Sequence, residues 1–286
     1  MKKILITGGR GFFASRLKLA LESKFEILSP SHKELEIRDL DQVNSVFESF
    51  KPDYVVHTAA VAQTAFCNEN PDIANDINVN GSINIAKACN KIGAKMVFIS
   101  TEQVFNGNLE PGPYDESHVP NPDTVYGQTK LAAEKTLSEI LNELWILRFT
   151  WLFGLPERNA GMSPNILWDT LNSTMHQKII KASTNEYRGL TSVYELVDQF
   201  ENVFDIPYGI YHIGSENPMS RYDSVKTIFD TLNLSDLKYL EKDEASYKAN
   251  PRDIRLDCSK IRNLGFKFSP SPESLVTCLK EFSIVK

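Results

Sequence analysis

The chain has 286 residues, of which 42% are hydrophobic and 24% charged, and its formal net charge is -6. This composition is typical of a globular protein with one large α/β domain and a smaller lobe, or with two small domains. The acidic balance gives no broad basic surface, so neither nucleic acid nor an anionic membrane is expected as a partner. Residues 4–6 are too short an apolar run for a signal peptide core, and no run approaches the roughly 18 residues of a membrane span. We therefore expect a soluble, cytoplasmic protein.

Four cysteines are scattered along the chain, at positions 67, 89, 258 and 278. No pair has CxxC spacing, and no cysteine–histidine cluster resembles a zinc site. The pattern predicts reduced, mostly buried thiols and no dedicated metal site.

Strand-like and helix-like patterns alternate through the first half of the chain. The predicted strands are residues 3–7, 25–28, 54–57, 95–100 and 145–149. The predicted helices are residues 12–22, 39–50, 72–91 and 124–141. Strands separated by helices imply βαβ units, so we predict an α/β fold of the Rossmann type, with a doubly wound parallel sheet covered on both faces.

The second half is less regular and predicts a smaller, helix-rich lobe. Ser192 and Glu195 have the spacing of a capping box that opens a helix running to about residue 204. A strand is predicted at 209–213, and further helices are predicted after Ser220 and at 259–264 and 272–282. We assign residues 1–154 to a dinucleotide-binding domain and residues 155–286 mainly to a substrate-binding lobe, with residues 185–205 returning to the first domain.

The first predicted strand runs into a glycine-rich turn, GGRGFFA at residues 8–14. Glycines there permit a tight turn and close approach of backbone N–H groups to a pyrophosphate, and the following helix N-terminus adds partial positive charge. Ala14 replaces a third glycine where helix and strand pack closely. The turn is predicted to contact a dinucleotide through Gly8, Gly9, Arg10, Gly11, Phe12 and Phe13.

The end of the second predicted strand indicates which dinucleotide is preferred. An acidic residue there accepts from the ribose 2′-hydroxyl of NAD and repels a 2′-phosphate. This chain has SPSHK at residues 29–33 instead, and Arg10 and Lys33 are available to meet a 2′-phosphate. We predict NADP as the cofactor, with NADPH preferred over NADH.

Tyr126 and Lys130 form a YxxxK pair on a predicted helix, where residues i and i+4 share one face. An ammonium beside a phenol favours the phenolate, so the pair predicts a tyrosine whose pKa is lowered toward working pH. Tyr222 and Lys226 have the same spacing but lie in the second lobe. Thr101 follows a predicted strand at the edge where open α/β sheets bind ligands, so we predict Thr101, Tyr126 and Lys130 as the catalytic residues.

These motifs together resemble an extended short-chain dehydrogenase/reductase, and more narrowly the dTDP-4-dehydrorhamnose reductases and related sugar-nucleotide-binding proteins. The resemblance is dense from residue 1 to about 154 and recurs at 256–261. Its supporting stretches are the glycine turn, KPDYVVHTAA at 51–60, NVNG at 78–81, NPDTVYGQTKL at 121–131, LRFTWLFG at 147–154 and LTSVYEL at 190–196.

The resemblance implies reduction of a 4-keto nucleotide sugar by NAD(P)H. It implies that Thr101 hydrogen-bonds the keto oxygen, that Tyr126 protonates it, and that Lys130 binds the nicotinamide ribose. It also implies two sets of contacts. The first, to the cofactor, comprises Asp39, Leu40, Thr58, Ala59, Ala60, Ser100, Tyr126 and Lys130. The second, to the substrate, comprises Thr64, Glu102, Gln103 and Trp151.

Two positions depart from the family pattern. The family commonly has Asp-Tyr where this chain has Glu102-Gln103, and proline where it has Leu190. The first change suggests altered substrate geometry, and it motivates one alternative, a non-catalytic NAD(P)- or sugar-nucleotide-binding regulatory protein. A nucleotide-sugar epimerase is a second alternative, because such enzymes share the Thr/Tyr/Lys triad and spacing cannot separate them. We expect a monomer or a homodimer.

Overall fold

A computed structural model of the chain describes residues 1–234, 239–282 and 284. Its centre is a parallel sheet of six strands in the order β2-β1-β3-β4-β5-β10. These strands are β1 Lys3–Thr7, β2 Glu26–Leu28, β3 Tyr54–His57, β4 Lys95–Thr101, β5 Leu144–Phe149 and β10 Gly209–Ile213. The strands are hydrophobic because both faces are covered. The predicted doubly wound α/β fold is confirmed.

Helices cover the two faces of the sheet in separate groups. The helices of this layer are α1 Phe12–Leu21, α2 Leu40–Phe50, α5 Ser82–Ile92, α6 Val125–Ile140 and α8 Val193–Gln199. Apolar side chains of α1 and α8, including Leu17 and Leu196, pack on one face. Those of α2, α5 and α6, including Phe47, Ile85 and Leu137, pack on the other. Helix α8 thus lies on the sheet formed mainly by the first half of the chain.

A third apolar cluster forms the smaller lobe, around Phe153, Leu167, Phe229 and Leu275. Its strands pair two by two, and they are β6 Trp151–Phe153, β7 Ile180–Ser183, β8 Glu186–Tyr187, β9 Leu190–Ser192, β11 Leu240–Asp243 and β12 Arg252–Asp253. Its helices are α7 Ile166–Met175, α9 Arg221–Thr231 and α11 Ser271–Glu281. The short helix α10 Ser259–Arg262 instead packs on the sheet, where Ile261 joins the same cluster as Leu17. No helix among the described residues is long and apolar enough to span a membrane. All four cysteines are buried and free, as predicted.

The single helix predicted at residues 72–91 is interrupted by a π turn. Helix α3 (Thr64–Glu69) is followed by α4 (Pro71–Asn75), and the π turn Asp76–Gly81 then leads into α5. Within the turn, the Asn78 carbonyl accepts a hydrogen bond of 2.6 Å from the Ser82 hydroxyl. Periodicity does not separate a π turn from the α-helices on either side, because only one residue is added.

The predicted capping box at Ser192 is wrong. The Ser192 side chain makes no capping hydrogen bond. Glu195 instead accepts from the Ser274 hydroxyl at 2.6 Å and from the Ser269 N–H at 2.9 Å. The Glu195 carboxylate therefore binds α11 and the residues before it, and it is not available to cap α8. The capping box at Ser220 is present.

Candidate active site

The glycine turn joins β1 to α1 at the carboxyl edge of the sheet. Gly8 has a φ of +68°, and a Cβ there would lie 2.9 Å from the Ala59 Cα. A Cβ on Gly9 would lie 2.3 Å from the Ser29 carbonyl oxygen. A side chain is excluded at both positions, so this close approach of the turn to its neighbours requires glycine. The N–H groups of Phe12 and Phe13 begin the first turn of α1 and make no hydrogen bond among the described residues, which suits an anion.

Thr7, the last residue of β1, ties this turn to the next strand. Its hydroxyl lies 2.7 Å from Nδ1 of His57 and accepts from the N–H groups of Thr58 and Ala59, each at 3.2 Å. His57 is fully buried, and burial lowers its pKa to about 3. A neutral imidazole therefore bridges Thr7 to the Ser82 hydroxyl, 2.9 Å away on the other side. Thr58 and Ala59, predicted to lie along the cofactor, are held beside the glycine turn.

The ribose end of the turn carries two exposed cations. Arg10 and Lys33 are exposed, and neither forms a salt bridge among the described residues. The nearby carboxylate of Glu34 is already engaged by the backbone N–H and hydroxyl of Ser31, at 2.8 and 2.7 Å. Asp39, predicted near the adenine with Leu40, caps α2 by accepting from two backbone N–H groups. Leu40 is exposed.

The predicted catalytic residues converge from two elements. Thr101 ends β4, and Thr124 caps α6 so that Tyr126 lies in its first turn. Burial raises the pKa of Tyr126 above its ordinary range, and the neighbouring Thr101 hydroxyl opposes that rise. The expectation of a lowered Tyr126 pKa is therefore wrong for this structure, because desolvation of the phenolate outweighs its polar neighbours. Tyr126 is a protonated acid at neutral pH.

Lys130 lies one turn further along α6, and its side chain is buried with 3% exposure. Its Nζ lies 3.8 Å from the centre of the Phe98 ring and has no hydrogen-bond or salt-bridge partner among the described residues. Burial lowers its pKa to about 7, and Glu134 opposes this change. A buried ammonium without acceptors is costly. Ribose hydroxyls are acceptors of the kind it lacks, so the residue fits a bound dinucleotide.

Ser100, predicted as a cofactor contact, donates its hydroxyl to Glu134. Glu134 is also paired with Arg148, whose Nη2 lies 2.6 Å from Oε2, and both side chains are almost fully buried. The pair fixes α6 against β4 and β5. The proton of the Ser100 hydroxyl is therefore already engaged within the protein.

Glu102, the first departure from the family pattern, is 1% exposed and paired with Arg188. Nε of Arg188 donates to its Oε1 at 2.8 Å, and Nη2 donates to the same oxygen. Burial raises the pKa of Glu102, and Arg188 opposes that rise. The guanidinium of Arg188 also lies 4.5 Å from the centre of the Trp151 ring, so it connects two predicted substrate residues.

A polar cavity of about 410 Å³ opens beside this pair, between the sheet edge and the smaller lobe. The predicted substrate residues Thr64 and Gln103 line it together, with the Thr64 hydroxyl 3.2 Å from Oε1 of Gln103. Arg188 and Arg252 also line the cavity, whereas the three predicted catalytic residues are not among its lining residues. A larger groove of about 770 Å³ lies at the amino end of the sheet, away from all predicted site residues. The smaller cavity is therefore the candidate substrate site.

Sequence reasoning missed Asn78 as a structural link between the elements of the site. Its Oδ1 accepts from the Val61 N–H at 2.8 Å, and its Nδ2 donates to the Val61 carbonyl and the Thr129 hydroxyl, at 3.0 and 3.1 Å. The π turn thus connects the loop after β3 to α6. Arg188 was also missed, because nothing in the sequence relates it to Glu102, although it lies just before the flagged Leu190.

A family model described as the RmlD substrate binding domain matches residues 1–284. The chain belongs to this family. The predicted resemblance is thereby confirmed, since the match extends over both lobes, including the second half where the sequence motifs are sparse.

Relatives of this RmlD-family chain include both a named subunit and named reductases. Methionine adenosyltransferase 2 subunit beta from Bos taurus is 27% identical over 280 residues, covering 92% of this chain and 83% of that protein. A dTDP-4-dehydrorhamnose reductase from Aggregatibacter actinomycetemcomitans is 28% identical over 239 residues, covering 80% and 79%. A dTDP-4-dehydrorhamnose reductase from Bacillus anthracis, solved in complex with NADP, has a TM-score of 0.86 at 27% identity and covers 99% of both chains. The chain is thus similar both to proteins named as enzymes and to proteins named as subunits.

Proposed function

We propose that the protein is an NADPH-dependent reductase of a 4-keto nucleotide sugar, similar to dTDP-4-dehydrorhamnose reductase. The observation that carries this proposal is the intact set of Thr101, Tyr126 and Lys130, with Thr101 at the carboxyl edge of the sheet, the edge that also carries the glycine turn. The relative solved with NADP supports the cofactor. Residues 1–154 would bind the dinucleotide, and residues 155–286 would supply most of the substrate lobe.

The chemistry divides among these side chains. NADPH, when bound, supplies a hydride to the keto carbon. Thr101 donates a hydrogen bond to the keto oxygen, and Tyr126 gives its proton to the alkoxide that forms. Tyr126 can act in this direction because burial keeps its pKa above the ordinary range, so the phenol carries the proton that it donates. Lys130 holds the ribose through its ammonium. Thr64, Gln103 and Trp151, with Glu102 acting through Arg188, orient the sugar.

We expect consumption of NADPH when the protein is mixed with dTDP-4-keto-6-deoxy-L-mannose, followed by loss of the absorbance of reduced nicotinamide. An epimerase returns its hydride and shows no net loss, so the assay separates these two functions. Confirmed NADPH binding without turnover of this substrate or other keto-sugar nucleotides would contradict a reductase. We further propose a cytoplasmic location. We also propose a monomeric or homodimeric state, and analytical ultracentrifugation would measure which of the two is present.

A second candidate function is a non-catalytic subunit that binds the dinucleotide or a sugar nucleotide. The specific observation in its favour is the likeness over 92% of the chain to proteins named as a subunit of methionine adenosyltransferase. Retention of Thr101, Tyr126 and Lys130 favours the enzyme. The turnover assay decides between the two.

Removing the two cations at the ribose end is expected to reduce the preference for NADPH. In the double variant R10A/K33A, the dissociation constant for NADPH should rise about 10-fold or more, since charge-assisted bonds to a phosphate contribute roughly 1.5–3 kcal/mol. NADH has no 2′-phosphate, so its dissociation constant should change little. Binding of both cofactors is measured by nicotinamide fluorescence. An equal rise in the dissociation constants for NADPH and NADH would show that these cations do not bind the 2′-phosphate.

A further inference from the structure

Arg16, in the second turn of α1, is 3% exposed and contacts a loop that lies 145 residues away in the sequence. Its Nη1 donates to the carbonyls of Phe12 and Gly161, and its Nη2 donates to the carbonyl of Leu155, each at 2.8 Å. Its Nε lies 2.6 Å from Oε2 of Glu157. The planar guanidinium thus fastens α1 to residues 155–161, which we name the strap. A single ammonium could not make this set of contacts.

The strap lies directly against the glycine turn. A Cβ on Gly161 would be 2.0 Å from the Arg10 carbonyl oxygen and 2.8 Å from the Gly11 carbonyl carbon. The Gly161 N–H donates to the Ser15 hydroxyl at 3.0 Å. Such close approach of two backbones means that the peptide between Arg10 and Gly11 cannot shift outward while the strap is fastened.

The other end of the strap is also held. The Leu155 N–H donates to the Tyr194 hydroxyl at 3.1 Å, and Tyr194 belongs to α8, which packs beside α1. The strap is therefore tied at Leu155, at Glu157 and at Gly161, and each tie leads back to α1 or its neighbour. Only glycine can occupy position 161, since any side chain would push the strap off the turn.

The turn braced in this way presents the free N–H groups of Phe12 and Phe13. Their usefulness to an anion depends on how rigidly the preceding peptide is held, because a preorganised site loses less conformational freedom on binding. We propose that the strap is a clamp on the dinucleotide site and that Arg16 is its positioning residue, setting how slowly the cofactor is released. This inference rests on the proposed dinucleotide function and adds to it a determinant outside the glycine motif.

The test uses R16M, which keeps an apolar stem but loses all four contacts, and G161A, which displaces the strap without altering Arg16. The matched control is K18M on the same helix, where an exposed lysine loses only an ion pair of 3.8 Å with Glu22. NADPH dissociation is followed by stopped-flow fluorescence. We expect release about 10-fold faster in R16M and G161A and unchanged in K18M. In a single turnover with NADPH already bound, the rate of the chemical step should change less than the rate of NADPH release in both variants.

Failure of the clamp is distinguishable from failure of the proposed function. If the wild type does not bind NADPH, the proposed function is wrong. If the wild type binds and both variants release NADPH at its rate, the clamp is wrong. It is equally wrong if kcat, substrate KM and melting temperature deteriorate together, since that indicates general damage. Should R16M not fold, E157Q removes one tie from a partly exposed residue, and a dissociation rate equal to the wild type in E157Q and G161A overturns the proposal.

Discussion

Replacing Tyr126 with phenylalanine is expected to lower kcat about a thousandfold, since a positioned acid contributes roughly 10²–10⁴-fold. The hydroxyl is the proton donor beside Thr101, and its raised pKa leaves it protonated at the pH of the assay. Phenylalanine retains the ring, so the fold and the binding of NADPH should be preserved. Single-turnover kinetics with saturating NADPH measures the chemical step directly.

Tyr222 provides the control, because it precedes Lys226 with the same spacing. Tyr222 lies on α9 in the smaller lobe, and its lysine is engaged with Asp230. Y222F should turn over at the wild-type rate. A Y126F variant that retains near-wild-type kcat would rule out Tyr126 as the acid, and loss of activity in both variants would indicate nonspecific damage.

Replacing Lys130 with methionine is expected to abolish turnover and, in the absence of cofactor, to raise the melting temperature. The unfolded chain holds its lysine proton up to a pH near 10.5, whereas burial lowers the pKa in the folded protein to about 7. The unfolded state therefore binds more protons between these values, so wild-type stability rises with pH across this window. Below about pH 7 the folded protein bears the full cost of a buried charge, on the order of several kcal/mol.

Methionine fills similar volume without that charge, so the advantage of K130M should be largest near pH 6 and shrink toward pH 10. Thermal melting of wild type and variant at a series of pH values gives the comparison, with K226M as a control that replaces an exposed lysine on another helix. A K130M protein less stable than the wild type at pH 6 would show that the ammonium has stabilising contacts in solution. Unchanged turnover would remove Lys130 from the catalytic set.

The sheet was predictable because its signals are local. Short apolar runs and the glycine turn identify β1, β3, β4 and β5 within one or two residues. Contacts across long sequence distances account for what was missed. The Glu195 carboxylate accepts a hydrogen bond from Ser274 instead of capping its own helix, and the local capping motif does not indicate this partner.

In the candidate site, too, local features were predictable and features that depend on distant contacts were not. Thr101, Tyr126 and Lys130 could be named because their spacing and strand-end position carry the information. The direction of the Tyr126 pKa could not be predicted, since it depends on burial by residues from several elements. The pairing of Glu102 with Arg188 joins residues 86 positions apart. The two side chains meet only after folding, so the sequence alone does not show that the acid at position 102 is paired with an arginine.

The π turn at Asp76–Gly81 has a consequence for comparing this chain with its relatives. A π turn holds one residue more than the α-helix it interrupts, so it behaves as a single-residue insertion. Deleting one residue there would rotate everything before it by about 100° relative to α5, given 3.6 residues per turn. Asn78 would then face away from Val61 and Thr129, although the segment would be a more regular helix. A sequence alignment that places no one-residue insertion at the π turn would therefore match Asn78 to the wrong residue of a relative.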